Sequence, residues 1–161
     1  MQLISPAFSP GGEIPIQYTQ EGVDASPPLA WSDVPPGTQS FALIVDDPDA
    51  SDPNAPNKRP WVHWVLVDLP PDARSLSEGV TRLPGGRVGV NDWDNASWDG
   101  PLPPTGRHRY RFKLYALDRM LELERPTKPE LEAAMKDHVL EDAQLIGRYQ
   151  RQFPAETAAP I

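Results

Sequence analysis

Residues 108–118, HRYRFKLYALD, form the stretch that decides the fold. Aromatic and aliphatic side chains alternate there with basic ones, which is the period of a β-strand with two different faces. The side chains on the first face are His108, Tyr110, Phe112, Leu114 and Ala116. The opposite face carries Arg109, Arg111 and Lys113. We therefore predict a strand here whose apolar face turns to the interior.

Two earlier stretches extend this strand pattern. Residues 41–47, FALIVDD, are predicted to form a strand in which Asp47 keeps the parity of the apolar side chains Phe41, Leu43 and Val45. Residues 61–69, WVHWVLVDL, are apolar on both faces, which indicates a strand between two packed layers. We expect one face of this strand to carry Trp61, His63, Val65 and Val67. The other face should carry Val62, Trp64 and Leu66.

The C-terminal region has the pattern of a helix. Thr127 and Glu130 have the spacing of a capping box, and Pro129 suits a first helical turn. Side chains at helical spacing then predict that the helix continues through Tyr149, with His138 just beside the apolar stripe. The members of that stripe are Leu131, Met135, Val139, Ala143, Ile146 and Tyr149.

Strands followed by a helical region predict a mostly β fold. The 21 prolines support this, because proline is excluded from helix interiors and central strands and must lie in turns, loops and edges. We expect an antiparallel, Greek-key-like β-sandwich of two sheets with one or two C-terminal α-helices. The 161 residues fit a single domain, which we place at residues 1–153, followed by a loose tail at 154–161.

Composition excludes several classes of function. The net charge of −8 disfavours nucleic acids and anionic membrane surfaces as broad partners. The absence of cysteine excludes disulfide scaffolds, thiolate metal sites and cysteine nucleophiles. The sequence has neither a signal-peptide pattern nor an apolar stretch of transmembrane length, so we expect a cytoplasmic protein without integral membrane association.

The candidate functional residues lie at strand ends. Asp47 and Asp49, in DDPDAS, end one predicted strand, His63 is near the start of the next, and His108 opens a third. By themselves the acids could form a turn, a metal site, an acid–base pair or the wall of a pocket. If the strands are neighbours, these polar ends converge at one rim, where aspartate and histidine would offset each other's desolvation.

The following loop adds backbone donors. In GPLPPTG, residues 100–106, the amides of Gly100 and Gly106 could contact a phosphate or carboxylate. An anion could therefore bind to this acidic chain if donors are gathered locally.

Three stretches together resemble the signature regions of the phosphatidylethanolamine-binding protein family, in its bacterial, Raf-kinase-inhibitor-like branch. They are DDPDAS, WVHWVLVDLP and GPLPPTGRHRYRFKLYALD, and the resemblance continues over nearly the whole chain. It implies a β-sandwich with a small anion-binding pocket at one end, in which Asp49 orients a histidine. The residues that it places at the pocket are Asp47, Asp49, His63, Pro103, Pro104, His108 and Tyr110.

The chain departs from the family pattern at three positions. Ser51 stands where the resemblance leads us to expect proline, Asp94 where we expect glycine, and Trp98 where tyrosine is common. The change at Trp98 removes a hydroxyl that could touch the ligand, so these departures bear on ligand preference more than on the fold.

Three functions stay open at this point. The first is a module that binds phosphate, a phosphoryl headgroup or a carboxylate, without cofactor or metal. Such a module could act through an unidentified protein partner. The resemblance also leads us to expect a possible homodimer. The second is a hydrolase in which His63 or His108 is the base, with or without metal, although HExxH and GxSxG patterns are lacking. The third is a protease inhibitor or scaffold that uses the proline-rich loops.

Overall fold

The computed structural model describes residues 1–50 and 59–153. Ser51 and the predicted tail at 154–161 lie outside these ranges. The strands are β1 (Gln2–Ile4), β2 (Leu29–Ser32), β3 (Ser40–Asp47), β4 (Trp61–Leu69), β5 (Ser75–Leu76), β6 (Arg87–Val88), β7 (Arg107–Leu117) and β8 (Val139–Gln150). A short 3-10 helix spans Ile16–Tyr18, and helix α1 spans Lys128–Met135.

Two antiparallel sheets confirm the predicted fold class. The smaller sheet has the order β1-β2-β5, and the larger has the order β6-β4-β3-β7-β8. The three strands predicted most clearly, at 41–47, 61–69 and 108–118, form the centre of the larger sheet and agree with β3, β4 and β7 to within a residue. No helix in the described part of the chain is long and apolar enough to cross a membrane.

The main core lies between the two sheets. Leu3 and Trp31 from the smaller sheet meet the inward faces of β3, β4 and β7. On β7 the inward face is the predicted one, with Tyr110, Phe112 and Leu114 each at most 1 % exposed. Burying one such side chain contributes about 1.5–3 kcal/mol, so this alternation stabilises the sandwich directly.

A second core covers the outer face of the larger sheet. Val65 and Val67 of β4 pack there with Leu131 and Met135 of α1. The prediction that β4 lies between two packed layers is therefore confirmed. Helix α1 begins with the predicted capping box, in which Thr127 accepts from the Glu130 amide and the Glu130 carboxylate accepts from the Thr127 amide.

The predicted continuation of this helix is wrong. Helix α1 ends at Met135, Asp137 adopts a left-handed conformation with φ 68°, and β8 follows as a strand. The helical stripe is real only for Leu131 and Met135. Its later members lie on a strand that pairs with β7 from Val139 to Gln150.

Long-range pairing explains the strand at 139–150. The edge of β7 offers a full row of backbone hydrogen bonds, and tertiary contacts of this kind override local helix propensity. Leu145, Gly147 and Tyr149 are buried at every second position, which is the period of a strand. His138 is not on a helix either, since it precedes β8 and its Nδ1 lies 2.9 Å from Asp118 Oδ1.

Candidate functional site

The end of β3 and the starts of β4 and β7 meet at one rim of the larger sheet. Strand β3 is antiparallel to both neighbours, with Asp47 opposite Trp61 on β4 and Asp46 opposite Arg111 on β7. In antiparallel pairing, one strand ends where its neighbour begins. The polar strand ends therefore converge, as the sequence predicts.

A cavity of about 160 Å³ opens at this rim, and we call it the rim cavity. Its lining residues are Asp47, Ala50, Trp61, His63, Trp93, Leu102, Pro103, Pro104, His108 and Tyr110. The structure thus brings together all of the predicted site residues except Asp49. Sequence reasoning missed the aromatic walls Trp61, at the start of β4, and Trp93, in the loop at 91–99, although the tryptophans of this strand and loop were a signal for them.

Asp47 and His108 form the central polar contact of the rim cavity. His108 Nδ1 lies 2.6 Å from Asp47 Oδ2, and both residues are buried. Asp47 Oδ1 also accepts from the Asp49 amide at 2.8 Å. Burial raises the pKa of Asp47, although these two hydrogen bonds oppose the shift. Because a carboxylate accepts, His108 donates through Nδ1, and Nε2 is its remaining polar atom.

Asp49 does not orient a histidine, contrary to what the resemblance implies. Its carboxylate instead binds Arg109, with Oδ1 2.8 Å from Nη2 and Oδ2 3.0 Å from Nε. The Arg109 amide donates to the same Oδ2 at 2.8 Å. The hydrogen bond from Arg109 lowers the pKa of Asp49 to about 2. Asp49 thus stays charged, closes the turn after β3, and leaves Asp47 as the partner of His108.

An irregularity in β4 turns His63 toward the rim cavity. Val45 pairs with Trp64 while Asp46 pairs with Val62, so His63 is one extra residue in β4, as in a β-bulge. Val62 packs with the outer core and Trp64 with the inner core. The prediction that Val62 shares a face with Trp64 is therefore wrong, because simple alternation does not allow for the extra residue.

His63 is fixed in one tautomer. Its Nδ1 lies 2.5 Å from the backbone oxygen of Asp99, and since a carbonyl only accepts, Nδ1 carries the proton. Burial lowers the pKa of His63 from the ordinary 6.5 to about 4, so the ring is neutral at pH 7. Its Nε2 is then an acceptor. Edge contacts with Trp93 and Tyr110, at centroid distances of 4.9 and 5.2 Å, hold the ring in place.

The Tyr110 hydroxyl is a buried donor that lacks a partner. Tyr110 is 1 % exposed, lines the rim cavity, and has no hydrogen bond to any residue of the described ranges. Burial and the nearby carboxylates Asp47 and Asp49 raise the pKa of Tyr110 well above its ordinary value. The hydroxyl therefore stays protonated and is available to donate.

Asn91 organises the loop that forms one wall of the rim cavity. Its Oδ1 accepts from the amides of Trp93 and Asn95, at 2.9 and 3.1 Å. Its Nδ2 donates to Asp99 Oδ2 at 2.7 Å and to the backbone oxygen of Ser97 at 3.0 Å. A buried asparagine with both ends satisfied rigidifies the loop that carries Trp93. The cluster of Asn and Asp in this loop was the only sequence signal for it.

Other predicted contributors have different roles. The Gly100 amide donates to Asp24 Oδ1 at 2.9 Å, so it does not serve the rim cavity. Trp98 packs in the main core against Trp64 and Phe112 and does not line the rim cavity. Asp94 has φ 60°, a conformation that glycine adopts freely, which accounts for the expectation of glycine at this position.

The described ranges hold no group of three or more histidine, aspartate or glutamate side chains placed to bind a metal ion. The rim cavity presents the pair Asp47–His108, a neutral His63 and the hydroxyl of Tyr110. Such a set can accept a proton, donate hydrogen bonds to an anion and exclude water behind aromatic walls.

Comparison with known proteins identifies close relatives. The family model described as "Phosphatidylethanolamine-binding protein" matches residues 4–150. A UPF0098 protein from Methanothermobacter thermautotrophicus is 48 % identical over 156 residues, which cover 94 % of this chain and 99 % of that protein. A crystal structure of a phosphatidylethanolamine-binding protein homolog from Chlamydia trachomatis has a TM-score of 0.88 and 40 % identity, and the match covers 94 % of this chain and 97 % of that one. Escherichia coli YbcL has a TM-score of 0.81 and 28 % identity, over 94 % and 98 % of the two chains.

Proposed function

Because this chain belongs to the phosphatidylethanolamine-binding protein family, in the branch of the UPF0098 proteins, we propose that its rim cavity binds a small anion, and a phosphoryl group in preference to a carboxylate. The observation that carries the proposal is the Tyr110 hydroxyl, a buried donor in the cavity wall without a partner among the described residues. Leaving such a donor unsatisfied costs about 1–3 kcal/mol. An anion oxygen in the cavity would accept from it.

Local pairing of charges explains how an acidic chain can hold an anion. Asp49 is matched by Arg109, and Asp47 by the ring of His108. With both ring nitrogens protonated, His108 would donate to the anion from Nε2, while Asp47 would stabilise the imidazolium. The cavity then presents the hydroxyl of Tyr110 and the imidazolium of His108 to a ligand oxygen, despite the net charge of −8.

His63 adds a requirement that separates phosphate from sulfate. The Nδ1–H group of His63 donates a hydrogen bond to the backbone oxygen of Asp99. Its Nε2 is therefore an acceptor, and it needs a hydrogen-bond donor on the ligand. A hydrogenphosphate ion or a phosphomonoester monoanion carries a P–OH group, whereas sulfate carries no proton at neutral pH. A site that needs a ligand donor rejects an ion without one, since its acceptor is left unpaired.

Two-dimensional NMR titration of the full chain with phosphate, phosphoethanolamine, acetate and sulfate tests this proposal. We expect saturable shifts at Asp47, His63, His108 and Tyr110 with the two phosphoryl ligands, and binding at least about tenfold weaker to sulfate and to acetate, which carry no proton at neutral pH. His108→Ala should abolish these shifts. Equal affinity for phosphate and sulfate would refute the role of His63, and no shift with any anion at millimolar concentration would refute the site.

The Asp47–His108 contact of 2.6 Å also supports a second candidate, a hydrolase in which His108 acts as general base. Turnover of a phosphomonoester such as p-nitrophenyl phosphate, lost in Asp47→Asn, would favour this reading. Binding without turnover would favour the binding module. Regulation through a protein partner and a homodimer stay predictions of the family resemblance.

A further inference from the structure

A second cavity, of about 320 Å³, lies on the other side of the loop at 91–99. It shares no lining residue with the rim cavity. Trp64 and Trp98 form its aromatic wall, and Val80 and Leu83 contribute aliphatic surface. We call it the Asp24 cavity, after the carboxylate in its lining.

Two buried polar atoms in the Asp24 cavity lack partners. Ser26 is 4 % exposed and Trp98 is 8 % exposed. Neither Ser26 Oγ nor Trp98 Nε1 makes a hydrogen bond within the part of the chain that the structure describes. Buried polar groups in native proteins almost always have a partner, so two such atoms in one cavity point to a molecule that fills it.

Asp24 supplies a carboxylate without a cation. Its Oδ1 accepts only the Gly100 amide, and it forms no salt bridge to any basic residue in the described ranges. A Cβ atom placed on Gly100 would lie 2.4 Å from Asp24 Oδ1 and 3.0 Å from Trp98 Nε1, so the carboxylate and the indole border the same point. Desolvation raises the pKa of Asp24 to about 6 and the charge of Asp99 adds to this, while the Gly100 amide and the nearby Trp98 indole oppose the shift. At neutral pH the carboxylate is still mostly ionised, partly desolvated and without a cationic partner in the described ranges.

We propose that the Asp24 cavity binds a small organic ammonium ion that also carries an oxygen acceptor. The ammonium group donates to Asp24 and to Ser26 Oγ, two acceptors in the cavity lining. The ligand oxygen accepts from Trp98 Nε1, which can only donate. The hydrocarbon part packs against the tryptophan and aliphatic walls, where a desolvated cation also gains from the aromatic faces.

Three isosteric probes separate the parts of this proposal by NMR titration. 2-Methoxyethylammonium carries both the cation and the oxygen, butylammonium carries only the cation, and 1-methoxypropane carries only the oxygen. We expect saturable shifts of the Trp98 indole N–H with 2-methoxyethylammonium, at least about tenfold weaker binding of butylammonium, and still weaker binding of the neutral ether. Equal binding of all three probes, or no saturable shift with any of them, would overturn the proposal.

Matched variants locate the site. Asp24→Asn should weaken 2-methoxyethylammonium at least about tenfold, while the fold is kept because asparagine tolerates the left-handed φ of 57° and still accepts from Gly100. Asp33→Asn is the control, since Asp33 has φ 56° but is exposed and is not part of the cavity lining. Tyr110→Phe should leave this binding unchanged. Binding that survives Asp24→Asn, or that falls equally in Asp33→Asn, would contradict the assignment.

Discussion

At the scale of single residues, burial decides which protons the rim cavity can offer. His63 is neutral because its ring is desolvated, and Tyr110 stays protonated for the same reason. Asp49 is exposed enough to reach Arg109 and stays ionised. The rim cavity therefore combines an acceptor, His63 Nε2, with a donor, the Tyr110 hydroxyl, and with the pair Asp47–His108. A ligand oxyanion that also carries a proton can hydrogen-bond to both the acceptor and the donor.

His63 should make the stability of the protein depend on pH. Its pKa in the folded state is about 4, below the ordinary 6.5, so the unfolded chain takes up the proton first as pH falls. Above pH 6.5 the protonation of His63 does not affect the free energy of unfolding. From pH 6.5 to pH 4 this protonation of the unfolded chain lowers the free energy of unfolding progressively, by at most about 3 kcal/mol. Urea unfolding at several pH values measures this loss.

His63→Asn isolates the effect, because the asparagine amide can still donate to the Asp99 oxygen without titrating. This variant should be less stable than the wild type at pH 7, and the difference should shrink toward pH 4. His138→Asn, at a half-buried position outside the rim cavity, is the control. If the difference in unfolding free energy between the wild type and His63→Asn stays constant over this range, the His63 ring is not held neutral by the fold.

At the scale of elements, the least predictable parts are those whose conformation depends on a distant partner. The positions of β3, β4 and β7 follow from apolar and alternating runs in the sequence, and the inward parity of Asp47 follows from alternation in β3. The end of α1 at Met135 does not, because residues 139–150 satisfy a helical period as well as a strand period until β7 is present. The extra residue at His63 is equally invisible in the sequence, since it is defined only by pairing with β3.

Gly147 separates the strand from the helix experimentally. In β8 a Cβ at this position would lie 2.5 Å from Ile14 Cγ1 and 2.8 Å from Phe8 Cε2. Gly147→Ala should therefore destabilise the protein by about 1–3 kcal/mol, as overpacking does, measured by urea unfolding. In an exposed helix the same change would stabilise by about 1 kcal/mol.

Removal of the Ile14 side chain provides the control for this prediction. Ile14→Ala is costly alone, but the double variant with Gly147→Ala should lose less than the sum of the two single losses, because the clash with the Ile14 side chain is gone. Strict additivity, or a stabilising Gly147→Ala, would contradict the packing of β8 against Ile14.

The loop at 91–99 should depend on the donor of Asn91. Asn91→Asp keeps the shape and the acceptor but removes the Nδ2 donor and places a second carboxylate beside Asp99. We expect a loss of about 2–3 kcal/mol in unfolding free energy and weaker phosphate binding, since Trp93 and His63 rest on this loop.

Asn95→Asp is the matched control for Asn91. Asn95 also donates to Asp99 Oδ2, at 3.0 Å, but it is exposed, so the same substitution should cost less than about 1 kcal/mol. Equal losses in the two variants would mean that Asn91 is not the residue that organises the loop.

At the scale of the whole molecule, the sandwich brings the ends of β3, β4 and β7, and the polar side chains that they carry, to one rim. The class of fold and the meeting of Asp47, His63 and His108 could be predicted from the sequence, because antiparallel neighbours bring one strand's end to the next strand's start. The pairing of Asp47 with His108, and of Asp49 with Arg109, could not, because Asp49 lies beyond the end of β3, where the turn and not strand alternation sets the direction of its carboxylate. The Asp24 cavity depends on three separate loops and left no pattern in the sequence.

The most direct test of the central claim is the affinity of the full chain for inorganic phosphate, measured by NMR titration in the wild type, Tyr110→Phe and Tyr115→Phe. Tyr115 lies on the same strand but faces the outer core, so it controls for the loss of a hydroxyl from β7. We predict saturable binding that Tyr110→Phe weakens at least about tenfold and Tyr115→Phe leaves unchanged. If Tyr110→Phe binds phosphate as tightly as the wild type, the buried hydroxyl is not an anion donor and the rim cavity is not the site proposed.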